Sequence, residues 1–121
     1  MMKRELRMKL ARAFGTVARL GSGMLLIAAS AHAGDVKIGA ELAKKCEACH
    51  GLDGLSKIAE APNIAGQSEQ YLIKQLTAFK TGERQNEMMS IVAPTLSEKD
   101  IEDLASYYSA IEIKVGKLPV E

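Results

Sequence analysis

Cys46-Glu47-Ala48-Cys49-His50 decides how this chain is read. Two thiols stand one helical turn apart, and an imidazole follows at once. That spacing suits thioether bonds to the two vinyl groups of a haem, with the adjacent His supplying a nitrogen to the iron from one face. The rest of the sequence strengthens the reading by subtraction. Cys46 and Cys49 are the only cysteines, and His50 is the only histidine besides His32. Three rivals use the same residues. A Cys46–Cys49 disulfide is open to the chain in an oxidising compartment, but it closes too small a loop to constrain much. A thioredoxin-like pair needs a βαβ context, and no strand pattern is present. A zinc site needs a fourth ligand and usually a second Cys or His pair.

Upstream, Lys3, Arg4, Arg7, Lys9, Arg12 and Arg19 form a basic head. The apolar run Met24-Leu25-Leu26-Ile27-Ala28-Ala29 follows, and then the small-x-small pattern Ala31-His32-Ala33. This is the layout of an export signal over 1–33, cleaved after Ala33 or retained as an anchor. An amphipathic leading helix of a cytosolic protein is the competing reading. The apolar run is too short to span a bilayer in the ordinary way. The working domain is then 34–121. Six of the 16 basic residues and one of the 15 acidic residues precede it, so it holds 10 basic and 14 acidic residues. A net charge of −4, against +1 for the whole chain, leaves no basic stripe for nucleic acid.

A domain this small buries a limited share of its surface and often needs a cofactor or staple. Its aromatics are Tyr71, Phe79, Tyr107 and Tyr108. No repeat or second domain is visible. The fold class is all-α, with three main helices. The first is expected over about 35–49, with Val36, Ala40, Leu42 and Ala43 on its apolar side. The second starts at Ser68 as N-cap, carries Leu72, Leu76 and Phe79 on one face, and stops at Gly82. The third starts at Ser97, with Asp100 three residues on as a variant capping box. Its stripe is Ile101, Leu104, Ala105, Tyr108 and Ile111. Two long loops, 51–67 and 83–96, lie between the helices. Loops of that length are uncommon in a small domain unless they wrap something. A flat apolar macrocycle, one haem per chain, is such an object. The iron's sixth ligand is expected from the second loop, where Met88 and Met89 are the only methionines after residue 33. One of them is expected to coordinate and the other to fill space.

These residues resemble class I cytochrome c, in particular the small bacterial monohaem group related to the tandem di-haem periplasmic cytochromes. The likeness spans about 39–110. It rests on Cys46–Gly51 with Asp53-Gly54, on Pro62-Asn63-Ile64-Ala65-Gly66-Gln67, and on Tyr71-Leu72 with Lys74-Gln75-Leu76. Arg84-x-Asn86 with Met88-Met89, Leu96-Ser97-x-x-Asp100-Ile101 and Leu104-Ala105-x-Tyr107 complete it. The resemblance implies thioether links at Cys46 and Cys49, with His50 as proximal ligand. It implies a Pro62 carbonyl against the His50 ring. It implies Met89 rather than Met88 as distal ligand, because Met89 stands seven residues before Leu96. It further implies that Gly39 and Tyr107 meet at a helix crossing, and that Arg84 and Asn86 contact the propionates or brace the loop. With a single haem motif the chain is not the tandem form, and the tail after Ile111 matches no motif.

The implied function is electron transfer in the periplasm, without catalysis by this chain alone. The expected partners are redox proteins in the periplasm or at the inner membrane, and the membrane itself only if the signal is retained. One alternative is the haem subunit of a periplasmic oxidoreductase, such as a flavin-linked sulfide dehydrogenase. Another is a haem-based ligand sensor whose methionine dissociates.

Overall fold

Three polar side chains start the three principal helices. Asp35 accepts the N–H groups of Lys37 at 2.8 Å and Ile38 at 3.1 Å, and α1 follows over Val36–Ala43. Ser68 accepts the Tyr71 N–H at 3.3 Å and opens a long helix over Glu69–Thr81. Ser97 and Asp100 form a reciprocal box: the hydroxyl accepts the Asp100 N–H at 3.0 Å, and the carboxylate accepts the Ser97 N–H at 2.8 Å. They open the last helix over Glu98–Ser109. Each cap satisfies backbone donors that a helix start leaves without partners. This computed structural model describes residues 34–120, so the expected leader over 1–33 lies outside the described residues. The described residues contain no strand.

The expected first helix is not continuous. It breaks after Ala43, and a separate turn, α2, covers Glu47–His50. Across the break the bonds run three residues back: Lys44 N–H to Glu41, Lys45 N–H to Leu42, Cys46 N–H to Ala43. That tighter winding turns the side chains of α2 relative to those of α1. The expected apolar side of α1 is also narrower. Val36 is exposed, and the buried positions are Gly39 and Ala43.

The Glu69–Thr81 helix is α3, and it ends where Gly82 adopts φ 80°. The second long loop is not structureless. It contains α4, Met89–Val92, and then a 3₁₀ turn over Ala93–Thr95 that admits Pro94 near its start. The Glu98–Ser109 helix is α5.

Both α1 and α3 pack on α5. Gly39 lets α1 approach closely: a Cβ there would run into the Asp103 carbonyl and lie 2.8 Å from the Tyr107 Cβ. The core joins Ala43, Leu72, Leu96, Ile101, Leu104, Ala105 and Tyr108, with Leu76 and Ile111 partly buried beside it. Two polar residues on α5 are also buried, and the apolar stripe does not announce them. Asp103 accepts the Asp35 N–H at 2.5 Å and pairs with Lys99, tying the start of α1 to α5. Ser106 donates to Glu69 Oε1 at 2.6 Å, tying α5 to α3. The tail is fastened at its beginning, because Ile113 lies against Gly66, where a Cβ would meet it at 2.5 Å.

Candidate cofactor site

The turn of α2 puts Cys46, Cys49 and His50 on one wall. The His50 N–H bonds to the Cys46 carbonyl at 2.9 Å, and Gly51 ends the turn at φ 70°, a backbone region that favours glycine. No disulfide joins the two cysteines. Burial pushes the Cys46 thiol above its ordinary pKa.

The loop after α2 folds back onto this turn. The Lys57 N–H donates to the Cys49 carbonyl at 2.9 Å. Gly54 offers one carbonyl to the N–H groups of Ile64 and Ala65, at 2.8 and 3.1 Å. Asn63 Oδ1 accepts the Ser56 N–H at 2.7 Å. These bonds hold Pro62 opposite the histidine ring, with its carbonyl oxygen 2.9 Å from His50 Nδ1. A carbonyl can only accept, so Nδ1 carries the proton and Nε2 is the nitrogen left with a lone pair.

Two tyrosines on α5 hold the next two residues, a role that the sequence reading missed. The Tyr108 hydroxyl donates to the Gly51 carbonyl at 3.2 Å, and the Tyr107 hydroxyl to the Leu52 carbonyl at 2.7 Å. Their rings meet edge to face, with centroids 5.1 Å apart. Burial raises the pKa of the Tyr108 hydroxyl far above its ordinary value, so it remains a donor.

The second loop is braced before the methionines. The Arg84 guanidinium lies over the Phe79 ring, 4.5 Å from its centroid, and donates to Gln75 Oε1 at 2.5 Å. Asn86 Oδ1 accepts the N–H groups of Met88 at 3.0 Å and Met89 at 3.1 Å. Both residues thus make contacts within the loop and to α3.

Between the two loops lies a cavity of about 490 Å³, within the range of roughly 300–1,000 Å³ usual for cofactor pockets. Cys46, Cys49, His50, Pro62, Arg84, Asn86, Met88 and Met89 all line it. Leu72, Leu76 and Phe79 from α3, with Leu104 and Tyr108 from α5, complete its apolar wall. Two thiols, one imidazole nitrogen and two thioethers around an apolar slot fit an iron-bearing macrocycle. A hard cation is a poor match for that donor set. Among the described residues no cluster of three or more His, Cys, Asp or Glu could hold a metal ion instead.

The charges near the motif are largely compensated. Lys44 pairs with Glu41 at 2.5 Å and Lys57 with Asp53 at 2.9 Å. Lys45, Arg84, Glu60 and Glu87 line the cavity, two of each sign. No helix among the described residues is long and apolar enough to cross a membrane.

Comparison with known proteins places the same segment. Residues 36–110 match the family model described as cytochrome c. Cytochrome c-554(548) of Halomonas halodenitrificans is 40% identical over 83 residues, 66% of this chain and 100% of that protein. A thiosulfate dehydrogenase electron acceptor of Thiomonas intermedia is 44% identical over 71 residues, 58% of this chain and 33% of that protein. The crystal structure of reduced recombinant cytochrome c4 from Pseudomonas stutzeri superposes with a TM-score of 0.63 at 39% identity, covering 69% of this chain and 49% of that one. The chain spans less than half the length of the curated cytochrome c4 relatives it matches.

Proposed function

Because this chain belongs to the cytochrome c family, we propose that it carries single electrons between proteins, through a haem held by Cys46, Cys49, His50 and Met89. Covalently attached haem c is the family's cofactor, and Cys46 and Cys49 stand at its attachment position. Bound haem supplies a one-electron iron couple. The remaining chemistry belongs to the chain. Cys46 and Cys49 hold the group to α2. His50 offers Nε2 as the proximal ligand, while the Pro62 carbonyl fixes the ring and raises its basicity. Met89 offers its sulfur from the other loop, which favours the reduced state. With His50 and Met89 both holding the group, the chain would leave the iron no site for a substrate, and one-electron exchange is the chemistry the group would supply.

The observation that carries this reading is one cavity lined by Cys46, Cys49, His50, Pro62, Arg84, Asn86 and Met89 together. The leader expected over 1–33 supports an exported, periplasmic protein, and the electron-transfer cytochromes among its relatives support a carrier. NMR of the reduced holoprotein tests the ligand set. A strongly upfield-shifted methionine methyl is expected in the parent and in Met88→Ala, and its loss in Met89→Ala, with a lower potential. A resonance that survives Met89→Ala and disappears in Met88→Ala would reverse the assignment. Its absence from the parent would favour the ligand-sensor reading.

A second reading is favoured by the thiosulfate dehydrogenase electron acceptor among the relatives. In it the chain serves one sulfur-compound dehydrogenase as dedicated acceptor, which is close to the oxidoreductase-subunit alternative.

A further inference from the structure

Two sulfurs reach the same cavity, and a haem held by His50 would take only one of them as ligand. Met88 and Met89 both line it, Met88 being 57% exposed and Met89 half-buried. Neighbouring residues on a helix point about 100° apart around its axis. A rotation of α4 by about that angle would exchange one sulfur for the other. With a single turn over Met89–Val92, α4 has little of its own to resist rotation, and Met88 makes no side-chain cap bond.

One restraint on the N-terminal end of α4 comes from Asn86. Its amide oxygen accepts the Met88 N–H at 3.0 Å and the Met89 N–H at 3.1 Å. In return the Asn86 N–H donates to Ser90 Oγ at 3.0 Å. The backbone donors of both candidate ligands thus end on one acceptor atom. That atom is itself fixed, because the chain just before it is tied down by the Arg84 N–H on the Ala78 carbonyl at 3.0 Å.

We propose that Asn86 is a positioning residue that selects Met89 over Met88 as the sulfur presented to the iron, and that without its amide the two sulfurs compete. The inference rests on the reading of Met89 as ligand. It adds the device that makes one of two chemically identical neighbours the ligand. Removing a cap of this kind shifts a local conformational equilibrium by about fivefold, enough to make a minor ligation state visible.

The experiment is NMR of the reduced holoprotein in five forms: parent, Met88→Leu, Asn86→Ala, Asn86→Ala with Met88→Leu, and Asn86→Asp. One upfield methionine set is expected in the parent and in Met88→Leu. Asn86→Ala should show two sets, with the new one gained at the expense of the first. The added Met88→Leu should remove the new set alone. Asn86→Asp, whose carboxylate also caps helix starts, should return a single set. A parent-like single set in Asn86→Ala would overturn the proposal. So would loss of every bound-methionine signal with no Met88-dependent set appearing, which would assign Asn86 to loop cohesion alone. If the parent's own signal disappears in Met88→Leu, the ligand reading fails and takes this proposal with it. That failure shows in a variant with Asn86 intact, so the two are told apart.

Discussion

Tyr108 serves the molecule with both ends of its side chain. The residue is 2% exposed in the core, and its hydroxyl reaches the first carbonyl after His50. Tyr107 does the same for the next carbonyl from a more exposed position. The difference in exposure separates their energetics. A buried carbonyl that loses its donor bears its desolvation cost, while an exposed one turns to water. Tyr108→Phe is therefore expected to destabilise the holoprotein by about 1–3 kcal/mol and Tyr107→Phe by about 0.5–1.5 kcal/mol. Denaturant unfolding of both variants checks the order. The sequence makes Cys46, Cys49 and His50 legible because their spacing is itself the chemistry. It makes the meeting of Gly39 and Tyr107 legible through family likeness. The hydroxyl bonds are not legible, since they join residues 55 and 57 positions apart and leave no local pattern.

At the scale of the element, Ser68 and Ser97 announce their helices because capping is a local property, decided within three or four residues. The break after Ala43 is different. Lys44 and Lys45 are good helix formers, and neither Gly nor Pro marks the place. Close packing of Gly39 and Ala43 on α5 fixes one face, and the cavity wall fixes another, so the chain rewinds between them. The turn inside 83–96 is likewise hidden, because its cap comes from Asn86, three residues before α4 begins. The Ser97–Asp100 box carries a pH signature. Hydrogen bonds from the Ser97 backbone N–H and hydroxyl hold the Asp100 carboxyl below its ordinary pKa. A depressed folded-state value contributes stability above the unfolded value of about 3.9 and loses it as pH falls through the folded value. Parent stability should therefore fall below about pH 4, with a shallower fall in Asp100→Asn. Urea midpoints measured from pH 6 down to pH 2.5 test this. Ser97→Ala should cost about 1 kcal/mol at neutral pH.

For the whole molecule, a net charge of −4 over 34–121 suggests a partner with a basic docking face. The local arrangement tempers that expectation. Two of the three lysines nearest the haem motif are neutralised by Glu41 and Asp53, and the cavity lining holds two charges of each sign. Exposed Ile58 and Met88 also line the cavity. An encounter at that mouth should be governed by short-range contact more than by steering. Stopped-flow reduction by a thiosulfate-oxidising dehydrogenase should change by less than about threefold between roughly 10 and 200 mM salt. A steep fall with ionic strength would place the contact on a charged face away from the mouth.

The packing of α1 on α5 also sets a schedule. The first described helix and the last one meet through Gly39, Asp103 and Tyr107. That contact cannot close until α5 is available to α1, and contacts so distant in sequence form late. Until then α2 has neither tyrosine over its exit. Docking of α5 on α1 therefore also brings the two tyrosines over the exit of α2, so closure of the attachment segment is coupled to the longest-range helix contact of the fold.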